Sequence, residues 1–163
     1  MNGLAEVAIS SVDWSKFLVY GGSAGNIGPA LHDLLSSTGV EEAQAAWDQI
    51  EEHVFSNERI YSAAEPTTEV MMAALTEDQP LWRSGRILDL LFFIVQGSSP
   101  TDPMLQGRCR ARAREGLWLL AAWAVGHDGW MRQNALEVIE LVAPDRVDMI
   151  RTATTFGGAE RSQ

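Results

Sequence analysis

At 163 residues, with 46% hydrophobic and 21% charged content, the chain has the size and composition of one globular domain able to bury a core. It carries 22 Asp/Glu against 12 Lys/Arg, a formal charge of −10, and one cysteine, Cys109, which excludes an internal disulfide and a cysteine-rich metal site. The longest apolar run, 117–125, is about half of the roughly 18 residues a transmembrane helix needs. No basic flank followed by a long apolar stretch opens the sequence, so no signal peptide is expected and residence in the cytoplasm is the default.

The helical pattern begins at Asp13, an N-cap residue, with Trp14, Phe17 and Leu18 on one side of a short capping helix expected over 13–20. Gly21, Gly22, Gly25 and Gly28 form a loop, and Pro29 is expected at the first position of the next helix. A helix over 40–54 follows Gly39, burying Ala43, Ala46, Trp47, Ile50 and Val54 and exposing Glu41, Glu42, Asp48, Glu51 and Glu52. Further helices are expected over 62–75 and 80–96, the second apolar almost all round and therefore covered on two sides. After the loop 97–103 the pattern predicts helices over 104–125, 129–142 and 144–156, with the tail from Gly157 frayed.

These helices repeat. Ala30-Leu31-His32-Asp33-Leu34-Leu35 returns 40 residues later at Val70 to Leu75 and again 49 residues on at Leu119 to Ala124. A second pattern follows each at the same offsets: Ala43, Ala46, Trp47, Ile50; then Arg83, Arg86, Ile87, Leu90; then Arg132, Ala135, Leu136, Ile139. Two patterns sharing one unequal pair of spacings predict three helical hairpins, at 29–54, 62–96 and 104–142, capped by 13–28 and 144–156 within a single all-α domain. Asp128-x-x-x-Arg132-x-x-Ala135-Leu136 resembles the second-helix signature of HEAT repeats, in which Asp and Arg of successive repeats hydrogen-bond. Trp14, Tyr20-Gly21, Ala24, Ile27, Pro29, Ile60-Tyr61-x-Ala63-Ala64, Arg86 to Leu91, Arg108-Cys109-Arg110 and Gly116-Leu117 extend the likeness. Over most of its length the chain resembles a family of small bacterial HEAT-like proteins. That resemblance implies an α-α superhelix and, because some members of the broad group sit beside toxin genes, an immunity protein. The ladder is expected to be partial, since repeat one has Gly39 and Ala43, and repeat two has Gln79 and Arg83, at the matching places.

Charge supplies the functional expectation. Residues 1–105 hold 4 Lys/Arg against 15 Asp/Glu, and residues 106–163 hold 8 against 7. A negative field repels a phosphate backbone, which argues against nucleic acid, and accelerates encounter with a basic partner. The expected function is a non-enzymatic protein-binding module, an immunity protein that neutralises a basic toxin. Glu41, Glu42, Asp48, Glu51, Glu52 and Glu58 would steer and pair with the partner, and Trp82 and Trp130, near the starts of second helices, would anchor it. No membrane contact and no cofactor are expected.

Rival chemistry is open at three places. His53, His127, Asp128 and Asp145 make a conceivable site for an all-α metal-dependent hydrolase, although Asp128 is also the expected N-cap of its helix. Cys109 lies among Arg108, Arg110, Arg112 and Arg114, which would activate a thiol if they surrounded it, but helical phase puts Cys109 on the buried side with Ala113 and Leu117. The glycine loop 22–28 lacks the Lys-Ser/Thr of a phosphate loop and reads as a turn. Trp14, Trp47, Trp118 and Trp123 fit apolar stripes and are expected in the core. A general HEAT-type scaffold or regulatory adaptor is the bland alternative, and a HEAT-like glycosylase would need a basic groove that residues 1–105 do not offer.

Overall fold

The computed structural model describes residues 3–22 and 24–160, with side chains as far as Thr155; Ser23 of the glycine loop lies outside the described residues. It is mostly helical, as the periodicity predicts. In chain order come α1 (Leu4–Ser10), a 3-10 turn (Trp14–Lys16), a second 3-10 turn (Ala24–Asn26), α2 (Ile27–Ser36) and α3 (Val40–Val54). A short hairpin, β1 (Phe55–Ser56) and β2 (Arg59–Ile60), precedes α4 (Ala64–Ala74) and α5 (Leu81–Gln96). The chain ends with α6 (Leu105–Glu115), α7 (Leu117–Gly126), α8 (Gly129–Val142) and α9 (Val147–Glu160).

Local chemistry explains the boundaries. Glu42, in the first turn of α3, accepts the Thr38 N–H at 2.8 Å and the Thr38 hydroxyl at 3.0 Å, tying the entry of the helix. Asn57 and Glu58 both have positive φ, 50° and 62°, the mirror-image turn that suits a two-residue hairpin. Four expectations need correction. The helix expected over 13–20 is only a 3-10 turn, and the N-terminal packing role falls to α1, whose Ala5 and Ile9 are buried. Pro29 is the third residue of α2, still within the turn where a missing N–H is harmless. The single helix expected over 104–125 breaks at Gly116, where a Cβ would lie 2.2 Å from the Met72 methyl carbon, so any side chain there would have to displace that methionine end of α4. The tail expected to fray from Gly157 continues α9 to Glu160.

Packing is organised around α5. Its Ile87, Leu88, Leu90, Leu91, Ile94 and Val95 are fully buried, and it contacts α3, α4, α6 and α8. The pairs α2/α3, α4/α5 and α7/α8 pack as hairpins, and α3, α5 and α8, the second helix of each, follow one another side by side. First helices are less regular: α1 bridges α2 and α4, and α6 lies against α4, α5 and α8. Glu77, in the α4–α5 loop, accepts the Ala5 N–H at 2.8 Å and so caps α1 from outside.

The expected Asp–Arg ladder between repeats is absent at its best-matching residues. Arg132 pairs with Asp128 at 2.7 Å inside its own repeat and donates to the Ala124 and His127 carbonyls. Other donors join the hairpins. Arg83 donates to the Ser37 carbonyl at the end of α2, and the Trp123 indole donates to the Leu75 carbonyl at the end of α4, at 3.2 Å. Each satisfies a carbonyl that the terminating helix leaves without a partner.

Of the tryptophans expected in the core, Trp14 and Trp47 are buried and Trp123 is half-buried, but Trp118, the second residue of α7, is 67% exposed. Leu90→Ala should therefore cost about 2–5 kcal/mol of stability in urea denaturation. Trp118→Ala should change it by less than about 0.5 kcal/mol. Comparable losses for the two would contradict this placement.

Candidate interaction cleft

The face formed by α3, α5 and α8 carries a cleft of about 360 Å³ lined by Val40, Trp82, Arg86, Asp89 and Trp130. Three helix starts build it: Val40 opens α3, Trp82 is the second residue of α5, and Trp130 the second residue of α8. Trp82, Arg86 and Asp89 share one helical stripe by their spacing of four and three, as do Trp130, Asn134 and Glu137 on α8. Trp130, 54% exposed, lies against Gly85, where a Cβ would come within 2.0 Å of its ring, so the indole occupies space that glycine leaves on α5. The two tryptophans named from sequence are thus brought to one place.

Polar groups cross the face from helix to helix. Arg86 donates to the Gln44 side-chain carbonyl at 2.7 Å and lies 5.5 Å over the Trp47 ring. Arg83 lies 5.2 Å over the Trp82 ring. Asn134 donates to Asp89 Oδ1 at 2.6 Å, linking α8 to α5. Burial pushes the Asp89 carboxyl above the ordinary aspartate range; the Arg86 charge opposes that shift and the Glu137 charge adds to it. No ion pair reaches Asp89 among the described residues, and a desolvated carboxylate without one marks a candidate site.

The six acidic residues named from sequence do not form one patch. Asp48 accepts from Gln44 at 2.7 Å and Glu51 from the Trp47 indole at 3.1 Å, which sets both beside the Trp47–Arg86 contact. Glu42 is committed to Thr38, which holds its carboxyl below the usual range, and it faces α2 beside Asp33. Glu52 lines a separate cleft of about 310 Å³ with Tyr20, Gly22 and His53, Glu58 stands at the hairpin tip, and Glu41 is exposed at the start of α3. Asp89, Arg86, Gly85 and Asn134 were not named as site residues from the sequence, where Arg86 and Asp89 counted only toward the repeat and the family likeness. Their signal was the narrow polar stripe left on an otherwise apolar α5, a stripe that becomes a site only once α8 is laid beside it.

The residues of the other candidate sites are each engaged in local contacts. His53 Nδ1 is 2.9 Å from the Tyr20 carbonyl, and His127 stacks on Trp123 at 4.4 Å between centroids. Asp128 pairs with Arg132, and Asp145 with Arg114 at 2.9 Å. Among the described residues no three His, Cys, Asp or Glu side chains are placed to hold a metal together. Cys109 is fully buried; burial, outweighing a hydrogen bond with Thr68, pushes its thiol up to about 12. The arginines beside it point away: Arg108 meets Glu65 at 2.8 Å and Asp102 at 2.7 Å, and Arg112 meets Glu69 at 2.9 Å.

With its folded-state pKa raised, ionised Asp89 costs folding free energy above that pKa, and the cost fades as pH falls toward the ordinary aspartate value. Asp89→Asn keeps the side-chain volume and an acceptor for Asn134. It should raise the melting temperature at pH 7 and lose that advantage below about pH 4. A variant melting below the parent at pH 7 would contradict an unpaired, desolvated carboxylate. No family model, curated protein or solved structure matches the chain, so the reading of this cleft rests on its own residues.

Proposed function

We propose that the chain is a non-enzymatic protein-binding module, a HEAT-like stack of helical hairpins, and most concretely an immunity protein that occludes a basic toxin. The observation that carries this reading is the cleft on the α3–α5–α8 face. Val40, Trp82 and Trp130, apolar groups at the starts of α3, α5 and α8, surround one recess instead of closing over it. Partly exposed tryptophans in a recess are the side chains that dominate protein–protein affinity, because they bury a large rigid area with few rotamers to freeze.

Charge supports the same reading. Asp48 and Glu51 flank that face, and Glu41 stands at its edge. Several basic residues of the C-terminal third are paired, with Asp145 and Glu140 of that third and with Glu65, Glu69 and Asp102 of the first 105 residues. The remaining acids of the first 105 residues still outnumber the basic ones there, and their field acts on an approaching protein. The superhelical arrangement is part of the proposal; lateral packing of α3, α5 and α8 supports it, and the bridging position of α1 makes the first-helix layer irregular.

Parallel affinity capture with the parent chain and a Glu51→Lys/Glu52→Lys double variant tests the reading. A basic protein should be retained by the parent and lost by the variant. Its association rate should fall at least tenfold between about 0.05 M and about 0.5 M salt. Trp82→Ala or Trp130→Ala should mainly speed dissociation, each costing about 2 kcal/mol. Retention that ignores both the charge reversal and the salt would overturn it.

A further inference from the structure

We propose that the cleft between α5 and α8 takes the guanidinium of one arginine side chain from the protein partner, stacked on Trp130 and paired with Asp89. The inference rests on the protein-binding reading and names the group that enters. Its first support is a pattern in the face itself. Trp47 of α3 carries Arg86 and Trp82 of α5 carries Arg83, at 5.5 and 5.2 Å. Trp130, the tryptophan of α8 on the same face, carries no such cation among the described residues and is 54% exposed. Stacking on an indole face is what a planar, weakly hydrated guanidinium does better than an ammonium.

Local charge gives the second support. Asp89 lines the recess and feels the negative charge of Glu137 nearby, against one positive charge from Arg86. Arg86 is held toward α3 by Gln44 and Trp47, so its charge offsets that of Asp89 only in part and forms no ion pair with it. Asn134 occupies Asp89 Oδ1, while Oδ2 has no hydrogen-bond partner among the described residues. Asp89 also stands eight residues into α5, more than two turns from the positive end of the helix, so the helix dipole opposes a cation there only weakly. A charge-assisted bond to that carboxylate recovers the cost of its burial.

The test titrates the intact chain with a capped peptide of one arginine among glycines, following tryptophan fluorescence, beside matched lysine and citrulline peptides. Citrulline keeps the shape of arginine without its charge. The arginine peptide should bind with a dissociation constant of about 1 mM or below, the lysine peptide several-fold more weakly, and the citrulline peptide at least tenfold more weakly. Asp89→Asn, whose folding is checked by its melting curve, should weaken arginine-peptide binding at least tenfold, and Trp130→Ala comparably. Equal binding of arginine and citrulline, equal binding of arginine and lysine, an unaffected Asp89→Asn, or no binding of the arginine peptide would each overturn the proposal. If a captured basic protein is lost with Glu51→Lys/Glu52→Lys yet retained unchanged by Asp89→Asn, this inference fails while the protein-binding reading stands.

Discussion

The burial of α5 is the constraint on which the remaining architecture depends. A helix with Ile87, Leu88, Leu90, Leu91, Ile94 and Val95 fully buried cannot be satisfied by a single neighbour. It draws α3, α4, α6 and α8 around itself, and each of those helices then needs only one apolar face. The stripe through Trp82, Arg86, Asp89 and Phe93 is what the surrounding helices do not close. The candidate cleft is therefore a by-product of how the core is covered, and its side chains are held by rigid helices rather than by loops. Phe93 marks the far end of the stripe, where it stacks on Phe55 at 5.2 Å and meets Trp47 edge-on at 6.3 Å.

Electrostatics follows the same division. One layer holds charges that answer one another: Arg108 and Arg112 of α6 lie on Glu65 and Glu69 of α4, and Arg114 clasps Asp145 through two nitrogens. These are exposed pairs, each worth little on its own. Their larger effect is on the field, because they cancel the basic C-terminal third against acids of its neighbours. The other layer holds carboxylates with neutral partners, Asp48 on Gln44, Glu51 on Trp47 and Asp89 on Asn134. A hydrogen bond to a neutral donor orients a carboxylate without removing its charge, which is the condition for acting at a distance.

Much of the helical framework was legible in the apolar periodicity, and the reasons for the exceptions are physical. The bounds of α3 and α8 agree with the expected ranges because each is amphipathic and begins at a clear boundary, Gly39 and Asp128. The break at Gly116 was hidden because an isolated glycine within a helical pattern does not by itself end a helix. The helix α1 was missed because seven residues offer too little period, and its start is capped by Glu77 from another loop. The tryptophan anchors could be named from their place at helix starts, whereas Asp89 could not. In sequence it is one polar residue in an apolar run, and its meaning comes from Asn134 and Trp130, contributed by a helix more than 40 positions on.

Cys109 lends itself to one further use. Sealed between α6 and α4 and reluctant to ionise, the sole thiol of the chain is beyond reach of a modifying reagent while those helices stay together. Alkylation at neutral pH would then proceed only through excursions in which the two part, so its speed becomes a clock for breathing of the interior. The clock needs no engineered label, and Cys109 is not among the residues lining the tryptophan recess, so occupancy there and loosening of the scaffold can be followed by separate signals.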